Sequence, residues 1–167
     1  MAQSAQSALE LKCQFISGYV DTDKEGRWKA PASGTYDEGT FVKKTAAGTY
    51  WEQCGDNDAT HILEQPVGTV GPIGSAANRE FYLQGFPQNI VGNGQEITAY
   101  PASGGKTIRT TIVVTGSATG AIDTSTAVGT QVEAYNGELR VLQSGNTAIG
   151  ETKTIMDSNG YIEIYLY

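Results

Sequence analysis

Histidine and cysteine are nearly missing from this 167-residue chain, which has one histidine and two cysteines against 21 glycines. Two thiols, Cys13 and Cys54, make no disulfide framework and match no metal spacing, so half-buried free thiols are the simplest reading. An imidazole base would have to be His61, and no local pattern sets a serine or cysteine beside it. Charge is sparse as well, at 17% of residues with a formal net charge of −7. Without clustered Lys and Arg there is no surface for phosphates, so no nucleic-acid partner is expected. No segment approaches the ~18 apolar residues of a membrane span. The first eight residues carry neither a positive region nor an apolar one, so neither a membrane nor an export signal is expected. Asn-x-Ser/Thr sequons are absent, in keeping with a cytoplasmic origin. Helical periodicity is missing too: no apolar set holds the i, i+3, i+4, i+7 pattern for three turns, and the best candidate, Asp58 to Leu63, is one turn at most.

What remains is strand and turn chemistry. The glycine, Thr and Ser content favours short strands joined by tight turns, and turn signals every eight to twelve residues predict an all-β fold of roughly ten or more strands. The clearest stretch is Ala127 to Tyr167. A run from Gly129 to Tyr135 enters Asn136-Gly137, the strongest short hairpin signal because both central residues of a type I′ turn need positive φ, and Glu138 to Leu142 returns. Glu151 to Met156 is a further extended run. Asp157 to Gly160 then turns the chain into a closing strand, Tyr161 to Tyr167. There Ile162, Ile164 and Leu166 share one face, while Tyr161, Glu163, Tyr165 and Tyr167 share the other. The first face is core and the second is a tyrosine row suited to a partner.

Earlier in the chain, residues 1 to 8 are too poor in apolar side chains to bury themselves and read as an arm. Its Gln3 and Gln6 are candidate partner contacts. Leu9 to Phe15 alternates as a half-buried strand, and Gly18 to Ser33 reads as a polar loop anchored by Trp28. A hairpin follows, Gly39 to Lys44 and Thr49 to Gln53, which echoes the C-terminal one. Gly39-Thr40-x-Val42 matches Gly129-Thr130-x-Val132, Gly48 matches Gly137, and Asn57-x-Ala59 matches Asn146-x-Ala148. Internal duplication and chance likeness of two hairpins both account for these matches. Gln65 to Arg79, rich in Gly and Pro, reads as a long surface loop of the kind that serves a function or a partner. Short strands are expected at Phe81 to Leu83 and Glu96 to Tyr100, and a long β-prone run spans Thr107 to Thr115. The expected organisation is therefore an arm at 1–8, a first β unit at 9–94 and a second at 95–167.

Two motifs imitate chemistry. Asp21-x-Asp23-x-Glu25-Gly26 begins like a calcium loop, but Ala32 stands where the bidentate acid belongs, and a solvated acidic turn is the better reading. Ser103 to Thr107 ends like a phosphate-binding loop, yet Tyr100 stands where its opening glycine should be and no helix follows. No catalytic constellation, metal site or cofactor is implied, and an enzyme is not expected.

The C-terminal unit resembles the small head-decoration (cement) proteins of tailed bacteriophages. The likeness rests on Gly129-Thr130-x-Val132, the Asn136-Gly137 hairpin, Thr147-Ala148-Ile149-Gly150 and the final strand from Gly160 to Leu166. Gly39 to Leu63 resembles the same pattern more loosely, and together the matching parts cover about half the chain. The resemblance implies compact β-tulip-like barrel or sandwich units entered by an N-terminal arm. It implies a homotrimer that binds the major capsid protein on the outer face of the virion and stabilises the head. Gln3, Gln6, Trp28, Tyr161, Tyr165 and Tyr167 are then the candidate interface. Two units instead of one, the loop from Gln65 to Arg79 and the short arm depart from that pattern. A phage fibre or carbohydrate-binding module using Trp28, Tyr50, Trp51 and Tyr100 as exposed aromatics is the alternative. A hydrolase on a β scaffold is the weakest reading.

Overall fold

A computed structural model describes residues 12–17, 28–64 and 90–167. The arm at 1–8, the acidic turn at 21–26, the loop at 65–79 and the strand expected at 81–83 lie outside the described residues. The fold is all β, with no helix among the described residues. The described residues form thirteen strands: β1 (Cys13–Ser17), β2 (Trp28–Pro31), β3 (Tyr36–Asp37), β4 (Phe41–Lys44), β5 (Trp51–Gln53), β6 (His61–Leu63), β7 (Ile90–Val91), β8 (Glu96–Pro101), β9 (Lys106–Thr110), β10 (Gln131–Tyr135), β11 (Glu138–Val141), β12 (Gly150–Thr152) and β13 (Ile162–Leu166). A first sheet has the order β2-β8-β6-β4-β5, a second the order β1-β9-β13-β12-β10-β11, and β3 pairs with β7 alone.

The two large sheets repeat one plan. In each, a hairpin (β4–β5, β10–β11) is followed by a strand that returns to the hairpin's first member (β6, β12). That strand pairs with the last strand of its half (β8, β13), which pairs with the first (β2, β9). The registers coincide as well. Val42 pairs with Gln53 and His61 as Val132 pairs with Val141 and Gly150, and Ile62 faces Tyr100 as Glu151 faces Tyr165. Backbone bonds recur at matching places: Gly39 N to Leu63 O (3.0 Å) and Gly129 N to Thr152 O (2.8 Å), then Ala102 N to Thr60 O and Tyr167 N to Ile149 O (both 3.0 Å). A parallel bridge curls each sheet towards closure, Ala32 to Trp51 in the first and Val113 to Leu139 in the second. One of the sheets is nearly a closed barrel.

The hairpins differ where the sequence says they should. Asn136 (φ 47°) and Gly137 (φ 81°) form the expected two-residue turn with positive φ at both positions. The first hairpin instead closes a longer loop, with Thr45 N bonded to Tyr50 O and Gly48 N to Thr45 O.

Several expectations shift. β8, placed at the start of the second unit, lies in the first sheet, and the chain changes sheet between β8 and β9. Conversely β1, from the N-terminal half, extends the second sheet along β9. The run from Thr107 to Thr115 is not one strand. Thr111 N donates to Lys12 O and Ile112 N to the Thr110 hydroxyl, which ends β9 and redirects the chain to the bridge at Val113. The segment at Asp58 to Leu63 supplies a strand, not a helical turn. Its Ile62 and Leu63 are both fully buried, in different apolar clusters on opposite faces of the first sheet. An apolar pair buried on both faces leaves no alternation to read.

Candidate interface on the second sheet

The outer face of β13 is built from the turn before it. Asp157 accepts the backbone N–H groups of Asn159 and Tyr161 (both 2.9 Å) and the guanidinium of Arg109 (2.7 Å). The Tyr161 N–H, then Arg109, holds its carboxyl below the usual carboxylate range. The Arg109 guanidinium lies 4.2 Å from the centre of the Tyr161 ring. Tyr161 is only 7% exposed as a result. The expectation of an open row is corrected at this position: its ring is covered by the strand beside it.

Further along, the row is open. Tyr165 is half-buried and Tyr167 is 44% exposed, with ring centroids 6.2 Å apart in an edge contact. Lys153 stands 5.1 Å from the Tyr165 ring and pairs with Glu151 at 2.6 Å. That pairing lowers the Glu151 carboxyl and raises the Lys153 ammonium. The Tyr167 hydroxyl reaches Glu151 at 3.5 Å. The patch therefore presents two aromatic rings among paired charges, with Ile162, Ile164 and Leu166 fully buried behind them.

The other expected contacts distribute differently. Trp28 pairs with Ala99 through its backbone in β2, a strand the sequence read as loop, while Gln3 and Gln6 lie outside the described residues. Of Tyr50, Trp51 and Tyr100, proposed as exposed, Tyr50 is, at 46%. Trp51 is fully buried with its indole N–H bonded to Ile97 O at 3.1 Å. Tyr100 is buried against Phe15, ring centroids 4.6 Å apart, and its hydroxyl donates to Glu64.

The residues suspected of chemistry have structural surroundings. The His61 ring packs 4.8 Å from Trp51 and its Nδ1 meets the Thr60 hydroxyl at 2.8 Å. Cys54 Sγ accepts the Gly137 N–H at 3.3 Å, and burial pushes the thiol up to about 11. Gly104 and Gly105, both at positive φ, turn β8 into strand β9 and not into a helix. Among the described residues, no group of three or more His, Cys, Asp or Glu is placed to hold a metal.

Three features escaped the sequence reading. One is a groove of about 340 Å³ lined by Tyr36, Asp37, Gln53, Ile112, Asn136 and Glu138, among others. It sits where the Asn136-Gly137 turn meets the first sheet. The second is Glu38, 1% exposed in the turn between β3 and β4. The third is a buried cross-strand pair, Glu133 and Arg140. Glu38 and Glu133 each sit in polar sequence that reads as turn or solvent face, and only the neighbouring elements bury them.

No protein-family model, curated protein or solved structure matches this chain.

Proposed function

We propose that this chain is a binding protein without catalytic activity, a decoration protein of tailed-phage heads. In this reading it seats on the major capsid protein at the outer face of the virion, as a homotrimer, and stabilises the lattice. The observation that carries it is the Tyr165–Tyr167 patch. Large rings with polar tips, set among charges and backed by a rigid core strand, have the composition of interface centres. The resemblance of residues 129–166 to the decoration family supplies the partner. Weak contacts repeated over a lattice suffice to hold such a protein, because each copy touches several capsid subunits.

The test is co-sedimentation with tailed-phage heads that lack their decoration protein, alongside the molar mass of the free protein in solution. Binding at saturable stoichiometry, weakened by Tyr165→Ala, supports the proposal. Failure to bind any such head overturns it. The groove at the Asn136-Gly137 turn favours the second reading, a glycan-binding module, since Tyr36 with the Asp37, Gln53, Asn136 and Glu138 polar groups is a lining that suits a sugar. A polysaccharide pull-down with Glu138→Ala as its control decides that alternative.

A further inference from the structure

The start of β1 is held by a residue from the other half of the fold. Glu38 accepts the backbone N–H groups of Lys12 and Cys13, while Lys12 O accepts Thr111 N–H (2.8 Å) and the Thr110 hydroxyl (3.2 Å). Lys12 Nζ pairs with Asp37 at 2.8 Å. Cys13 presses against Gly39, where φ is +76° and a Cβ would collide with the Cys13 side chain. These contacts gather β1, the β3–β4 turn and the end of β9 at one point. Glu38 is 1% exposed there, and its Oε2 is buried with no hydrogen-bond partner.

We propose that Glu38 is a proton-operated clasp on β1: uncharged it secures the strand, and ionised it lets the strand lift from β9. As a neutral acid the group accepts the Lys12 N–H through Oε1 and carries its proton on Oε2, so what lies unpaired in the interior is an uncharged hydroxyl. As a carboxylate it leaves a charge there with one oxygen lacking any donor, and that is costly unless the site opens to water. The ionised form therefore favours the conformation in which the start of β1 has left.

The neighbouring charges do not cancel this effect. The Lys12 and Cys13 N–H groups, then the Lys12 charge, favour the ionised form, while Asp37 opposes it, and burial outweighs the groups that favour it. Cys13 remains a neutral thiol at neutral pH, since burial pushes it up to about 12. Across the groove Glu138 is itself raised by burial and then by Asp37, adding no positive charge. Burial raises Glu38 from 4.5 to about 7. Because the folded value lies above the unfolded one, the clasp is at full strength below pH 4.5 and is lost as the pH rises through about 7. Lifting β1 would expose the backbone edge of β9, a surface that can accept another strand.

Amide hydrogen exchange of the full chain, resolved by residue and corrected for intrinsic rates, tests the clasp. Opening of β1 should grow about tenfold between pH 6 and 8.5, as follows from the folded and unfolded values. Amides of β10 and β11 should not follow it. Glu38→Gln keeps an acceptor for Lys12 and Cys13 but cannot ionise, so the corrected opening of β1 should become independent of pH. A pH dependence retained in Glu38→Gln overturns the proposal. So does a parent protein in which β1 and β10 respond alike, a result that needs no variant.

Discussion

Removing the Arg140 side chain should be among the most damaging single changes available in the second sheet. Its Nε donates to Glu133 at 2.6 Å, its Nη2 to Asp56 at 2.9 Å, and its guanidinium covers the Tyr135 ring at 3.7 Å. Glu133 is fully buried, and its second oxygen already lacks a partner. Arg140→Ala would strand that carboxylate in the interior. Breaking a buried pair from one side typically costs ~3–5 kcal/mol, a large part of a domain's stability. Replacing both partners by apolar residues of similar volume, as in Glu133→Leu with Arg140→Met, should bring stability back to within ~1–2 kcal/mol of the parent, because no charge is then buried unpaired. The repeat supplies an internal control. Lys43 and Glu52 occupy the same cross-strand position in the first sheet, 3.8 Å apart, with side chains 31% and 38% exposed. Water screens that pair, so Glu52→Ala should cost below ~1 kcal/mol. Urea unfolding with linear extrapolation measures all four proteins. A loss under 1 kcal/mol for Arg140→Ala, or a double variant no more stable than the single one, would refute the reasoning.

Two further outcomes follow from local geometry, and a third from the proposed function. Gly137→Ala should destabilise by about 1–3 kcal/mol, since φ is +81° and a Cβ would stand 2.6 Å from Gln53 Nε2 and 2.9 Å from Thr40 Cγ2; thermal unfolding reports it, and an unchanged midpoint counts against the turn assignment. Native protein at pH 8 should alkylate Cys13 and Cys54 on the order of a hundredfold more slowly than urea-unfolded protein, because burial raises both thiols, Cys54 to about 11; rapid labelling of the native state would contradict their burial. Deleting residues 1–8 should weaken binding to phage heads, while Tyr165→Ala should loosen subunit association and head binding with a near-parental unfolding midpoint; loss of foldedness in Tyr165→Ala would make its ring structural.

The sequence announced those elements whose side chains alternate strictly and whose turns demand special φ. β13 was legible because Ile162, Ile164 and Leu166 alternate with larger polar-tipped residues, and the β10–β11 turn because Asn-Gly permits little else. The likeness of the two hairpins was visible in a few residues such as Gly39 and Gly129, which hold equivalent places in the two registers. What stayed hidden depends on contacts across the fold. β6 escaped because Ile62 and Leu63 serve two different cores. The covering of Tyr161 depends on Arg109 from a neighbouring strand. The burial of Trp51, Glu38 and Glu133 depends on elements distant in sequence, for which local pattern carries no signal.

The repeat also indicates why the Tyr165 patch, and not its counterpart, is the surface to probe. Phe41, Ile62 and Tyr100 in the first sheet hold the register positions of Gln131, Glu151 and Tyr165 in the second. The first trio is buried, with the Phe15 ring of β1 tilted against Tyr100. In the second trio the tyrosine is kept, while the two apolar neighbours are replaced by an exposed glutamine and a half-buried glutamate that pairs with Lys153. A tyrosine at this register thus serves as a packing platform inside the molecule, and at Tyr165 the same platform faces outward among groups that tolerate water. A surface tolerating both states fits a contact made and broken with a partner, since its rings gain from burial and its charges are already paired before contact. Mutations in the first-sheet trio should accordingly register as lost stability, and mutations in the second as lost association.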